Sequence, residues 1–112
     1  MAEWTLVGSS NGYDVYVNLS TIRRIGNKAK VWSLTDYKTI QKEIDRPPYL
    51  SSSIHRGFDC EAETHSFLYR TDYSDNMGGG KVTSNLVMGH IDYPIQPDSI
   101  SEAFWKIACG KK

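Results

Sequence analysis

Apolar and polar residues alternate with a period of two over most of the chain, interrupted by Gly, Asn and Pro at hairpin spacings. That pattern marks antiparallel strands joined by tight turns. Trp4 to Val7 reads as a first strand, and Asn11-Gly12 turns it back. Tyr13, Val15 and Val17 then share one face of the second strand, because side chains two residues apart point the same way. Gly26-Asn27 supplies the next turn, and Lys28 to Tyr37 follows as a long strand with Trp32 and Leu34 on one face and Val31 and Tyr37 on the other. Pro47 and Pro48 are expected to close a polar connection beginning near Thr39, since two prolines cannot continue a central strand. Tyr49 to Cys60 and Glu61 to Tyr73 give two more extended stretches. Gly78, Gly79 and Gly80 read as a loose hairpin tip leading to a last strand, Lys81 to Met88.

The period changes at the C-terminus. Pro97-Asp98 leads into Ser99-Ile100-Ser101-Glu102, a capping box in which Ser99 and Glu102 each satisfy a backbone donor at a helix start. Ile100, Ala103, Phe104, Ile107 and Ala108 recur at helical spacing and form one apolar face about three turns long. So short a helix is marginal in water unless that face is packed on something. The expected fold is therefore α+β: an antiparallel sheet of about six strands with one C-terminal helix packed on a face. One domain, 1–112, accounts for the whole chain, with strands roughly over 3–90 and the helix roughly over 99–109.

Cys60 and Cys109 are the only cysteines among the 112 residues. They stand where a disulfide would tie the strand-rich body to the helix, as small extracytoplasmic domains with thin cores often require. Two buried free thiols acting as small hydrophobes are the alternative. Thirteen basic residues balance thirteen acidic ones, which removes the electrostatic footprint of a nucleic-acid binder and leaves no polybasic membrane anchor. No apolar run approaches the roughly 20 residues of a membrane span. The opening MAEWTLVGSS also lacks the charged start and apolar stretch of a signal peptide. Met1 reads as a start placed on a mature domain whose signal sequence is absent.

An ordered set of segments carries a family resemblance: Trp4, DVYVNLSTI from Asp14 to Ile22, VWSLTDYK from Val31 to Lys38, YLSSS before FDC ending at Cys60, and PDSISEAFWKIAC ending at Cys109. Together they resemble the surface-adhesin protein E family of Gram-negative bacteria over nearly the whole chain. The resemblance implies an exported domain with a six-stranded antiparallel sheet, a C-terminal helix and a disulfide. It implies a non-enzymatic role, on the cell surface or outer membrane or in the periplasm, and no cofactor. Its implied partners are extracellular or envelope proteins, host matrix and plasma proteins among them; the balanced charge points to no nucleic acid, and a homodimer is a further partner on the aromatic pattern below. No host-protein binding motif transfers residue by residue, so only the two cysteines are carried over. A structural or self-associating periplasmic module without a host ligand is the alternative function.

Chemistry-bearing constellations are sparse. His55, His65 and His90 make no short two-histidine spacing of the kind zinc sites use. On a regular strand, Glu61, Glu63 and His65 would line one face at intervals of about 6.6 Å, a weak metal or acid-base arrangement or simply a solvated sheet edge. Arg23, Arg24, Lys28 and Lys30 gather at the Gly26 turn and form a candidate surface for acidic ligands such as sulphated glycans. A solvated hairpin rim explains the same residues. Phe67, Tyr69 and Tyr73 share one parity of their strand while Cys60, Ala62 and Leu68 share the other. Either a bulge near Thr64 brings the apolar groups to one core, or a second aromatic face lies open for self-association, with Trp32 or Trp105 as anchors.

Overall fold

A computed structural model describes residues 3–89 and 91–111; His90 lies outside the described residues, as does Met1. Six strands follow one another in chain order, each antiparallel to the next: β1 (Thr5–Ser10), β2 (Tyr13–Ile25), β3 (Lys28–Glu43), β4 (Arg46–Asp59), β5 (Thr64–Tyr73) and β6 (Val82–Val87). A two-residue strand, β7 (Tyr93–Pro94), pairs with the start of β5. Among the described residues one α-helix, α1, spans Ile100–Cys109. The expected α+β fold is therefore the observed one.

One sheet face and the helix make the core. Val15 and Val17 of β2, Ala29 and Val31 of β3 and Phe58 of β4 are buried with Phe104 and Ala108 of α1. Ser99 caps the helix start by accepting from the Glu102 amide at 3.1 Å, and the Glu102 carboxylate reaches back to the Asp98 amide. At the other end Gly110 adopts the left-handed φ of 68° that terminates a helix with little strain. Arg24 of β2 donates to the Ala108 and Ile107 carbonyls, placing a cation on the negative end of the helix. Cys60 and Cys109 are bonded, with Cα atoms 5.7 Å apart, so the turn after β4 is stapled to the last helical residue. The Trp105 indole adds a bond to the Asp59 carbonyl at 3.3 Å.

Three local expectations change. β3 runs on to Glu43, and Pro47-Pro48 lie inside β4, so the long polar connection is a two-stranded ribbon turning at Ile44-Asp45. Prolines are tolerated there because β5 ends opposite Ser51 and leaves this stretch of β4 without a second neighbour. The turn after β4 extends through Glu63, which has a φ of 57°, so Glu61, Glu63 and His65 do not form a straight row. The glycine segment is held down: a short 3-10 turn, Asn76–Gly78, lies over the sheet, with the Asn76 side chain and Met77 amide donating to Asp36 at 2.9 and 2.8 Å. The Gly78 amide donates to Ser51 at 2.9 Å.

The aromatic parity conflict is resolved by a bulge, at Leu68 instead of near Thr64. His55 pairs with Tyr69 and Arg56 with Phe67, which leaves Leu68 as the extra residue. Neighbouring partners on β4 point to opposite faces, so Phe67 turns toward the helix and Tyr69 away from it.

Candidate functional site

The helix covers one face of the sheet, and the opposite face presents aromatic rings beside hydroxyl and amide groups. Trp32 and His55 are cross-strand partners on β3 and β4, and their rings stack at 4.4 Å with planes 5° apart. Tyr69 meets Trp32 edge-on at 6.3 Å. Beside this stack lies a depression of about 260 Å³ lined by Trp4, Asn18, Thr21, Trp32, Ser53, Thr71 and Tyr73. Its polar groups are ordered by the chain itself. Thr21 donates to the Asn18 carbonyl at 2.7 Å and accepts from the Trp32 amide at 2.9 Å, bridging the register shift between β2 and β3. Ser53 and Tyr73 share a hydrogen bond of 3.3 Å, and Thr71 donates to Asn85 at 3.0 Å. Burial, with a smaller contribution from Lys30, lowers the His55 pKa, so the stack is uncharged at neutral pH.

The helix-side face holds a different polar group, and it is structural. Asp72 is fully buried and accepts from Arg70 at 2.7 Å, Arg46 at 3.0 Å, Ser52 at 2.6 Å and Ser84 at 3.2 Å. Arg56 is buried between the Phe104 and Phe67 rings, its guanidinium carbon 4.5 and 5.2 Å from their centroids, and donates to Ser33 at 2.8 Å. Burial lowers its pKa to about 10, which leaves it charged at neutral pH. These polar residues stand at inward positions of their strands. Of the small polar run Ser51-Ser52-Ser53, Ser52 faces this interior and bonds Asp72, whereas Ser51 and Ser53 face the open side.

The residues singled out from sequence are dispersed by the fold. Arg24 binds the helix end, and Arg23 donates to the Ser20 and Ile22 carbonyls at 3.0 and 2.9 Å. Lys28 pairs with Asp59 at 2.8 Å, which raises the lysine pKa through that hydrogen bond. The Asp59 pKa is lowered by the Ala62 amide first and by Lys28 second. Lys30 is exposed beside Trp32 on β3 and lines, with Lys28, a second depression of about 230 Å³. His65 stacks beside Phe58 and meets Phe67 edge-on, and burial lowers its pKa. Among the described residues no cluster of His, Cys, Asp or Glu is arranged to hold a metal ion. Of the aromatic trio, Tyr69 and Tyr73 reach the open face and Phe67 packs on Arg56.

These features define a class: one antiparallel sheet with a disulfide-tied C-terminal helix on one side and an open aromatic surface on the other. The chain belongs to the surface-adhesin protein E family, whose model matches residues 4–110. It is an adhesin-like surface protein by that membership. Solved structures of Haemophilus influenzae protein E share the fold at low sequence identity. The selenomethionine form superposes with a TM-score of 0.71 at 12% identity, covering 98% of this chain and 95% of that one. A second crystal form gives 0.67 at 12% identity, covering 93% and 91%. No curated protein matches the chain.

Proposed function

We propose that this protein is a non-enzymatic, exported binding domain that recognises an extracellular protein or glycan through the open aromatic face. One observation carries the reading: the half-buried Trp32–His55 stack faces solvent beside hydroxyl and amide groups, on the side that α1 leaves bare. Aromatic groups held rigid by a sheet lose little freedom on binding, which is why such rings anchor recognition surfaces. The basic residues at the Gly26 turn are the competing surface, but Arg23 and Arg24 already serve carbonyl groups and Lys28 serves Asp59. Host matrix and plasma proteins are the first ligands to screen.

The test displays the full domain on a non-adherent bacterium and measures attachment to immobilised matrix proteins and epithelial cells. Wild-type protein confers attachment, and Trp32→Ala at equal surface level removes most of it. Attachment that survives Trp32→Ala and falls with Lys30→Ala would transfer the function to the basic turn.

Self-association is the second reading, favoured by exposed Val82, Leu86 and Val87 on the edge strand β6. It gives the periplasmic module of the alternative function its contact. Sedimentation that shows a concentration-dependent dimer, abolished by Val87→Lys, supports it; monomer throughout removes it.

A further inference from the structure

We propose that the depression beside Trp32 is a saccharide site that takes an uncharged pyranose unit of a neutral glycan, stacked on the indole. This inference rests on the open face being the recognition surface and names the chemistry it accepts.

The first argument is charge. Trp4, Asn18, Thr21, Trp32, Ser53, Thr71 and Tyr73, which line the depression, are all uncharged side chains. Most charged groups of the same sheet face are engaged toward its two ends: Lys28 with Asp59 and Arg23 with backbone carbonyls at one, Asp36 with Asn76 and Met77 and Asp14 with Ser9 at the other. Exposed charges stand at the margin: Glu3 next to Trp4 in sequence, Arg23 two residues from Thr21 and its cross-strand partner Lys30 two residues from Trp32. A carboxylated or sulphated sugar therefore meets cations only at the margin, Arg23 and Lys30, and none among the lining residues, whereas a neutral ring asks for no charge there.

The second argument is the pairing of ring faces with hydrogen-bonding groups. A pyranose has an apolar face of C–H groups and an equatorial belt of hydroxyls, so it needs one flat aromatic surface and donors and acceptors around it. His55 stacks on one face of the Trp32 indole, Tyr69 meets the indole with planes 81° apart, and the indole also lines the depression, where a sugar ring can lie against it. Around it, the Asn18 carboxamide oxygen is already bonded to Ser20, so its amide hydrogens remain to donate. Among the described residues the indole N–H groups of Trp4 and Trp32 have no acceptor. Ser53 and Tyr73 are joined by a bond of 3.3 Å, long for two hydroxyls, and either is free to turn toward a sugar hydroxyl.

The third argument separates a sugar from a protein partner. The volume, about 260 Å³, falls below the roughly 300–1,000 Å³ of sites built for drug-sized ligands. The large exposed apolar side chains, among them Leu19, Ile25, Ile40, Ile44 and Val87, all lie outside the depression. A protein groove or a second copy of this chain wants a contiguous apolar centre. A single polar-rimmed ring does not.

The test is an array of neutral and acidic oligosaccharides probed with the full domain, followed by tryptophan-fluorescence titration with neutral hexose and N-acetylhexosamine oligosaccharides. Saturable fluorescence change with a neutral oligosaccharide is expected. Affinity should fall at least tenfold in Trp32→Ala, fall less in Trp32→Phe, which keeps a stacking ring, and stay unchanged in Tyr93→Ala. Circular dichroism melts establish that each variant is folded. Binding confined to acidic glycans and lost in high salt overturns the proposal. So does the absence of any saccharide binding, and then the display assay distinguishes the causes. If attachment still depends on Trp32, the open face recognises a protein and only the sugar chemistry is wrong; if it does not, the open face itself is the wrong surface.

Discussion

Replacing both Cys60 and Cys109 by alanine tests how much of the helix docking is held by the covalent link. The two cysteines are 49 residues apart in sequence, and closing a loop of about 50 residues removes unfolded-state entropy equivalent to about 4 kcal/mol at 25 °C. Unfolding entropy of about 2.1 cal/mol/K per residue over a chain of this length converts that to a fall of roughly 15–20 °C in Tm. The helix should remain in place below the transition. Phe104 and Ala108 are fully buried against the sheet, and Arg24 and Ser99 hold the helix ends independently of sulfur. Thermal melts followed by far-UV circular dichroism measure the effect, and wild-type protein in excess reductant should reproduce the variant. A double variant melting within about 3 °C of wild type would refute the reasoning, because the apolar face of α1 would then suffice to hold the fold.

Three further outcomes follow from the same structure. Asp72→Asn leaves Arg46 and Arg70 facing a neutral group in a buried site, so urea unfolding should show a loss of about 3 kcal/mol; a loss below about 1 kcal/mol would mean that water supplies the missing bonds. Burial lowers the pKa of His55 and His65 below the ordinary 6.5, so the native state binds fewer protons than the unfolded chain just below that value. Stability is then full above about pH 6.5 and falls as the pH drops through 6.5 toward the folded pKa values, and the double variant His55→Phe/His65→Phe should flatten Tm between pH 7 and 5. Gly110→Ala places a Cβ at a φ of 68° and 3.3 Å from the Arg24 guanidinium, which should cost about 1 kcal/mol by melting; an unchanged Tm would show that the helix frays before this residue.

The parts of the fold visible in sequence are those set by local chemistry. The turns at Asn11-Gly12 and Gly26-Asn27, the inward row Val15 and Val17, and the capped helix ending at Cys109 depend on neighbours a few residues away. The rest depends on the third dimension. Pro47-Pro48 continue a strand because only one side of β4 is paired there. The bulge that separates Phe67 from Tyr69 comes from strand register, and the glycine segment is ordered by Asp36 and Ser51, far away in sequence. The candidate site was legible only in pieces: Trp32, Tyr69 and Tyr73 were noticed as aromatic residues, but His55, Asn18 and Thr71 join them only after the sheet forms. Arg56 and Asp72 are charged residues whose burial follows only from the packing of strands and helix.

The functional account rests on the domain standing outside the outer membrane, where the open face meets foreign ligands. Protease treatment of intact source cells, with and without outer-membrane permeabilisation, measures this directly. Cleavage on intact cells is expected, beginning at the projecting ribbon around Ile44, which is 99% exposed. Full protection until permeabilisation would contradict the account and leave the protein a periplasmic module.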